Sequence, residues 1–338
     1  MAAKTIPFVA STALGERLFA GVQKVLAAAK APVSLVQTDA KFAPADAKYL
    51  LAEPLSAAAT GELANKYGLS SKVTSGAASQ FYPNSIYPSL NVEVVQNLYA
   101  LSNPAFSSLS ATTTKAVTVK DESAIKLAEL QKETERNISS FFRDEANKSV
   151  QATLRLACDK AIKTKADKKT VMVVTKPHGD AFDDLLAQVT KSESDGRADE
   201  LRNSSVSVEP TLVGNAWPKL VMFPEGVNVV VCGPNASGDQ VAQLFVGIAG
   251  GTGMVAQQLV GDAVVFTSAN AEDNENPTGA LLAASNLLTA LGHEAEAKKI
   301  AAAVAKAYTT DRILPKELPG GKADLEAFID AVAKHASA

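Results

Sequence analysis

The chain has 338 residues, of which 46% are hydrophobic and 20% are charged, so it is long enough to bury the core of one large or two medium-sized domains. Its formal net charge of −3 argues against a strong overall attraction to nucleic acid or to an anionic membrane surface. No uninterrupted apolar run reaches the roughly 18 residues of a membrane span. The two cysteines, Cys158 and Cys232, lack the spacing of a metal or redox motif, so we expect buried, reduced thiols.

The N-terminal residues predict a strand, a helix and a second strand. Thr5 to Ala10 is a short apolar run, Gly15 to Ala29 carries apolar residues at helical spacing, and Ala31 to Val36 is a second apolar run. The chain enters its first strand almost at once and does not resemble a signal or transit peptide. The sequence therefore fits a cytosolic protein, or one from which a leader has been removed.

The middle of the chain predicts further alternation after a stretch with weak patterns. Asp39 to Leu69 is rich in alanine and predicts one or two helices and a weak strand, whereas Gly68 to Pro104 is predicted to be irregular. Asp183 and Asp184 are expected to be solvated. The segments that follow are predicted as strand, helix, strand, helix, strand and helix, in the order Lys115–Lys120, Asn147–Ala161, Thr170–Thr175, Phe182–Val189, Ser205–Pro210 and Thr211–Phe223.

The stretch from Val227 to Ala290 carries the most informative pattern. A buried strand, Val227 to Cys232, leads through a loop to a helix that starts near Gly238 and has Asp239 in its first turn, where a carboxylate suits the helix dipole. A glycine cluster ends that helix and turns the chain. The later predicted elements are a strand at Ala263–Phe266 and helices at Gly279–Leu291, Glu294–Tyr308 and Asp324–Lys334.

This order of parts resembles the isocitrate/isopropylmalate dehydrogenase family, and in particular its NAD-dependent isocitrate dehydrogenases. The shared frame reads PN…GD…G..GG.G, then GD.V.F, then NPT..LL.A…L..LG, within residues 234–292. The resemblance implies an α/β fold of two domains with a doubly wound sheet. It predicts a large discontinuous domain, 1–105 plus 231–338, and a small domain, 106–230, that carries dimer contacts.

The groups that the resemblance assigns to catalysis and substrate binding are mostly replaced in this chain. The glycine-rich cofactor loop GDGIGPE becomes Ala10 to Glu16, which has side chains where the family has glycine. Asn103 stands where the family has a substrate-binding arginine, and Leu127 stands where it has the tyrosine acid. Lys176 aligns with the family's catalytic lysine, and we expect it to be a remnant without catalytic function.

The metal and adenine positions are also incomplete. Of the three metal-binding aspartates that the resemblance implies, Asp239 remains, whereas Gln243 and Gly214 replace the other two. The adenine-side loop is shortened and acidic, and Glu275 lies where it would repel a phosphate. Asn276 is retained and is equally explained as a helix cap. We therefore expect no metal, no nucleotide and no cofactor, and we expect Asp239, Gln243, Lys176 and Asn276 to face one remnant cleft.

Loss of chemistry at several independent places indicates a pseudoenzyme whose fold is kept for its shape. The sequence predicts a structural, supernumerary subunit of a larger complex, such as a respiratory-chain or ATP synthase assembly on the matrix side of the mitochondrion. Its expected partners are other protein subunits, together with a copy of itself or a related chain in a family-type dimer. The alternatives are a regulatory subunit of an NAD-dependent isocitrate dehydrogenase and an active dehydrogenase with a changed substrate, and a cytoplasmic location stays open.

Overall fold

The computed structural model describes residues 3–76, 80–82, 92–99, 144–176, 181–234, 236–269 and 274–338. The predicted strand Lys115–Lys120 lies outside the described residues, and so do Asn103 and Leu127. The described residues form one mixed sheet of ten strands with helices on both faces, which confirms the predicted α/β class.

The strands run through the sheet in the order β2-β1-β3-β10-β9-β4-β5-β8-β6-β7. Parallel pairing joins β2, β1, β3 and β10 at one end and β5, β8, β6 and β7 at the other, while β9 and β4 form the antiparallel junction between them. The strands are β1 (Lys4–Val9), β2 (Val33–Thr38), β3 (Tyr49–Ala52), β4 (Ser71–Ser75), β5 (Glu93–Asn97), β6 (Lys169–Thr175), β7 (Val206–Leu212), β8 (Val229–Cys232), β9 (Ala256–Val260) and β10 (Val264–Ser268).

Helices cover both faces of the sheet because each presents an apolar face to it. The helices within the described residues are α1 (Ala13–Ala28), α2 (Ala57–Tyr67), α3 (144–163), α4 (Ala181–Gly196), α5 (Ala198–Asn203), α6 (Val213–Met222), α7 (Ala236–Ile248), α8 (Thr278–Ala290), α9 (Glu294–Thr309) and α10 (Leu325–Ser337). None of these helices is long and apolar enough to cross a bilayer.

Four apolar clusters show which helices pack together. The largest joins α1, α8, α9 and α10 over β1, β3 and β10, and a smaller one lies under α2 on the opposite face. At the other end of the sheet, α3 and α4 cover one face, and α6 and α7 cover the other. Strand β5 and helix α7 thus pack with the middle segment, whereas the division of the chain at residues 105 and 231 stays a prediction.

The prediction for Gly68 to Pro104 was wrong, because that range contains two central strands. Strands β4 and β5 are only five residues long and carry polar side chains at several positions, so neither shows a long apolar pattern. Strand β9 was missed for the same reason, since its sequence AQQLV has two adjacent glutamines. Pairing with neighbours on both sides, rather than local propensity, stabilises these strands.

Candidate functional site

The loop between β1 and α1, where the resemblance implies a cofactor loop, is occupied by a carboxylate of the chain itself. Glu53 follows β3 and is only 3% exposed. Its carboxylate accepts hydrogen bonds from Ser11 N at 2.7 Å, from Ser11 Oγ at 2.8 Å and from Thr12 N at 3.3 Å. The Thr12 hydroxyl donates a further short hydrogen bond to Glu53 Oε2.

This arrangement gives the N–H groups at the N-terminal end of α1 hydrogen-bond acceptors that belong to the chain itself. Thr12 is the N-cap of α1, and its Oγ1 accepts a hydrogen bond from Gly15 N at 3.0 Å. A Cβ atom on Gly15 would overlap the Glu53 carboxylate, so glycine is needed there for close packing. A helix N-terminus attracts anions through its free N–H groups and its dipole. In this chain Glu53 is the anion, and sequence analysis missed it because it lies about 40 residues from the loop that it contacts.

Asp239 lies in the first turn of α7 and contacts a glutamine that sequence analysis also missed. Gln96 of β5 is 3% exposed, and its Nε2 donates hydrogen bonds to Asp239 Oδ1 at 2.5 Å and to Gly233 O at 3.3 Å. Gln96 Oε1 is buried without a hydrogen-bond partner among the described residues. The retained carboxylate is therefore held by an amide of the neighbouring strand.

A half-buried lysine and a buried cysteine flank this pair. Lys72 of β4 lies directly opposite Gln96 in the β4–β5 ladder. Burial lowers the pKa of Lys72, and the nearby Cys232 and Asp239 oppose that shift. Burial also raises the pKa of Cys232 to about 12, which keeps its thiol protonated. The group is a packed polar contact at the ends of β5 and β8.

Lys176 follows the last residue of β6 and is exposed. Its backbone N–H donates to Asp183 Oδ1 at 3.0 Å. The expectation that Asp183 is solvated was wrong, because this side chain is 4% exposed and turns back from the first turn of α4 onto the end of β6. The described contact at this position thus involves the backbone of Lys176 and not its amine.

The two replaced metal positions, Gly214 and Gln243, are both exposed. Within the described residues, no group of three or more His, Cys, Asp or Glu side chains could bind a metal ion. Asp239 is committed to Gln96, so the donors that remain do not fit a divalent cation, which binds through several oxygens and carboxylates foremost.

Asn276 caps a helix within the core. It is 1% exposed, its Oδ1 accepts a hydrogen bond from Thr278 N at 3.0 Å, and its Nδ2 lies 3.5 Å from Met254 Sδ. Met254 comes after the end of α7, whereas Asp239 is at its start. The 13 residues of α7 correspond to about 20 Å of helix. Asn276 is therefore buried beyond the end of α7 that is opposite to Asp239, and the expectation of one remnant cleft stays a prediction.

Glu275 precedes Asn276 and is neutralised by two cations. Arg17 Nη1 lies 2.7 Å and Lys316 Nζ 2.8 Å from its carboxylate oxygens. Hydrogen bonds from these two side chains lower the pKa of Glu275. The expected repulsion of a phosphate by this residue is thus offset by its partners, which also connect the segment to α1.

An exposed apolar surface lies on α6 and its flanks. Its side chains are between 40% and 63% exposed, and they are those of Leu212, Trp217, Val221, Met222 and Phe223. We call these five residues the α6 surface. Several large apolar side chains exposed on one helix and its flanks are typical of protein interaction sites.

Comparison with known proteins gives matches over different parts of the chain. The profile of the isocitrate/isopropylmalate dehydrogenase family matches residues 112–332. Isocitrate/homoisocitrate dehydrogenase of Thermus thermophilus is 33% identical over 135 residues, which cover 38% of this chain and 40% of that enzyme. A regulatory subunit of the mitochondrial NAD isocitrate dehydrogenase of Dictyostelium discoideum is 32% identical over 136 residues, covering 38% and 37%. The chain thus spans about 40% of the length of these curated relatives.

Solved structures match over almost the whole chain. A chain in the cryo-EM structure of the peripheral stalk of the Euglena gracilis mitochondrial ATP synthase, in rotational state 1, is 97% identical with a TM-score of 0.88. That match covers 99% of this chain and all (100%) of the other. Isocitrate dehydrogenase of Methylococcus capsulatus is 16% identical with a TM-score of 0.69, covering 99% and 100%. The second match concerns the fold alone, and it confirms the predicted dehydrogenase-like architecture.

Proposed function

This chain belongs to the isocitrate/isopropylmalate dehydrogenase family, and we propose that it serves as a structural subunit of a mitochondrial ATP synthase, located in the peripheral stalk. The observation that carries the proposal is the 97% identity, over 99% of the chain, with a chain from the Euglena gracilis peripheral stalk. At that identity two chains share nearly every surface residue, so they have the same surfaces available for assembly.

The contacts at the positions where the family resemblance implies cofactor, metal or substrate binding support a role without catalysis. Glu53 occupies the N-terminal end of α1, Gln96 holds Asp239, and Asn276 caps α8 within the core. Each of these side chains forms hydrogen bonds with another group of the chain itself, so none of them is free to bind a substrate. Together with the replacements at Asn103 and Leu127, these contacts favour a pseudoenzyme without cofactor or metal.

We further propose that the chain lies on the matrix side and is divided into domains at about residues 105 and 231. We also propose that it pairs with a copy of itself or a related chain through residues 110–220. The α6 surface supports this pairing, because it lies near the end of that range and exposes an aromatic and an aliphatic side chain one helical turn apart, Trp217 and Val221.

The second candidate is a regulatory subunit of an NAD-dependent isocitrate dehydrogenase. It is favoured by relatives that carry this name, among them the Dictyostelium protein at 32% identity. That match covers only 38% of the chain, whereas the peripheral-stalk match covers 99%. The structural role is therefore the stronger proposal.

The two candidates predict different companions for the native protein. We expect the chain to migrate with ATP synthase through gradient centrifugation and native electrophoresis, in a fixed ratio to the other stalk subunits. Migration with isocitrate dehydrogenase activity would instead support the regulatory candidate.

Thermal unfolding with NAD, NADP, ATP and Mn²⁺ gives a second test, since a ligand at 100 times its dissociation constant adds about 2.7 kcal/mol of stability. We expect no shift, and no NADH production from isocitrate or isopropylmalate.

A further inference from the structure

The two edges of the ten-stranded sheet differ in how their backbone is protected. Within the described residues, β2 pairs only with β1, and β7 pairs only with β6. An edge strand exposes unpaired N–H and C=O groups that can accept a further strand. The edges of this sheet can therefore be compared with each other residue by residue.

The hydrogen bonds at the ends of each ladder show which backbone groups point outward. Lys4 N donates to Pro32 O at 2.9 Å, and Ala10 N donates to Thr38 O at 3.0 Å, so every second residue of β2 faces β1. The backbone groups of Val33, Leu35 and Gln37 consequently lie on the free edge. By the same alternation, the bond from Lys169 N to Ser205 O puts the backbone groups of Val206, Val208, Pro210 and Leu212 on the free edge of β7.

The β7 edge carries two features that block strand addition. Pro210 is one of its outward residues and has no N–H to donate. Glu209, beside it, forms an ion pair with Lys219 at 2.8 Å and adds charge to this edge. Natural sheets use edge prolines and charges in this way to prevent pairing with other chains.

The β2 edge has neither feature. Its sequence VSLVQT contains no charge and no proline, and three of its six residues are β-branched. Val36 is 54% exposed, although it is an aliphatic residue in the middle of the strand. Among the residues that the structure describes, nothing pairs with this edge, and its sequence leaves it open to a further strand, in contrast to β7.

An apolar groove runs beside this open edge. The groove has a volume of about 550 Å³ and lies between the strands and the loop before β3. Phe42, in that loop, is 74% exposed and lines the groove together with Pro7 and Val36. Because side chains of a strand alternate between faces, an added strand would place every second side chain in this groove.

Cations surround the groove and limit what it can accept. Lys4 and Lys48 line it together with a single carboxylate, Asp46. Lys41 Nζ lies 5.9 Å from the centre of the Phe42 ring. Two copies of this chain joined edge to edge would bring their lysines together, which disfavours self-pairing. A segment with acidic residues between its apolar ones would meet complementary charge instead.

We propose that β2 and the Phe42 groove form the docking site for an extended segment of another subunit, which adds an eleventh strand to the sheet. Backbone hydrogen bonds to Val33, Leu35 and Gln37 hold the segment. Its apolar side chains enter the groove beside Phe42, and its acidic residues lie near the lysines. This inference rests on the proposed function, because it names a surface by which a structural subunit is held in its assembly.

Amide hydrogen exchange tests the backbone part of the site. Exchange of the 33–37 amides is compared between the free full-length chain and the intact ATP synthase, with β7 as the internal control. We expect the outward amides of β2 to exchange at least about tenfold more slowly in the assembly, because they become hydrogen-bonded. Equal exchange at β2 in the two states would overturn the inference.

Variants test the side chains. Val36→Lys places a charge at the edge and Phe42→Ala removes the groove wall, both at exposed positions, while Ser207→Lys places the same charge on exposed β7. Each tagged variant competes with the untagged wild-type chain for incorporation into ATP synthase. We expect Val36→Lys and Phe42→Ala to be incorporated at least about tenfold less than Ser207→Lys, a loss of about 1.4 kcal/mol or more.

The controls separate failure of the inference from failure of the proposed function. Each variant's thermal unfolding is compared with wild type, so that misfolding is recognised, and Phe42→Ser provides a second groove variant if Phe42→Ala unfolds early. Equal incorporation of all variants would overturn the docking site while leaving the structural role intact. Absence of the tagged wild-type chain from ATP synthase would refute the proposed function itself. A dimer of the free chain that Val36→Lys dissociates would show that a second copy is the occupant, which also overturns the inference.

Discussion

Replacing Glu53 by alanine is expected to destabilise the chain through the start of α1. The carboxylate is 3% exposed and accepts hydrogen bonds from the backbone N–H groups and the hydroxyls of Ser11 and Thr12. The two hydroxyls can turn to water, because Ser11 and Thr12 are exposed. The two backbone donors cannot move without disturbing the loop, so they determine most of the loss.

The magnitude follows from these contacts. A hydrogen bond to a charged group contributes about 1.5 to 3 kcal/mol, and the helix dipole adds about 0.3 to 1 kcal/mol. Since water replaces part of each contact at this half-open loop, we expect Glu53→Ala to lower the free energy of unfolding by about 2 to 4 kcal/mol. Glu53→Gln keeps one acceptor oxygen and loses the charge, so about half of that loss is expected.

Thermal and urea unfolding, followed by circular dichroism, measure the effect. At about 2 °C per kcal/mol for a chain of this size, Glu53→Ala should lower Tm by about 4 to 8 °C. Glu16→Ala is the matched control, because Glu16 is an exposed carboxylate in the first turn of the same helix and should change the free energy by less than about 0.5 kcal/mol. If Glu53→Ala and Glu16→Ala unfold alike, the reasoning about the internal anion is refuted.

Three further predictions concern buried groups and one ion pair. Asn276→Ala should lower the free energy of unfolding by about 1 to 3 kcal/mol in urea titrations, because Thr278 N loses its acceptor, whereas the exposed Asn65→Ala should have little effect. Burial raises the pKa of Cys158 to about 11 and that of Cys232 to about 12, so Ellman's reagent at pH 8 should label neither thiol until the chain unfolds; stability should also fall above about pH 9, where the unfolded thiols lose protons first. Arg17 and Lys316 lower the pKa of Glu275, so this carboxylate stabilises the fold above its ordinary pKa of 4.5 and loses that contribution as the pH falls further. Arg17→Ala should therefore flatten the acid side of a Tm-against-pH curve, and an unchanged slope would contradict the ion pair's role.

Sequence patterns located most elements because their signals are local. The helix predicted at Glu294–Tyr308 is observed at Glu294–Thr309, and the strand predicted at Thr170–Thr175 is observed at Lys169–Thr175. Both carry long regular patterns of apolar residues that packing reinforces. The retained glycine and Asn-Pro positions also predicted the family fold, since tight turns and caps constrain those residue types strongly.

The contacts that determine the site could not be predicted in the same way. Glu53 contacts Ser11, Gln96 contacts Asp239, and each pair joins two elements that only the folded sheet brings together. Neither Glu53 nor Gln96 belongs to a recognisable motif, and Gln96 lies in a strand that was predicted as irregular. The prediction that Asp183 is solvated was wrong for a related reason. Nothing in its local sequence shows that the backbone N–H of Lys176, at the end of β6, donates a hydrogen bond to its carboxylate.

The unbroken sheet also determines how the molecule responds to tension. Its ten strands make nine ladders, which at about 4.8 Å each span roughly 43 Å from β2 to β7. Force directed along the strands shears all the bonds of a ladder at once, whereas force across the sheet separates one ladder at a time. Among the described ladders, the one between β1 and β3 has the fewest registered pairs, Phe8 with Leu51 and Val9 with Ala52. A pull transmitted through β2 would therefore part the sheet first at that seam. There the packing of α1 against α8 and α10 and the hydrogen bonds from Ser11 and Thr12 to Glu53 also span the gap.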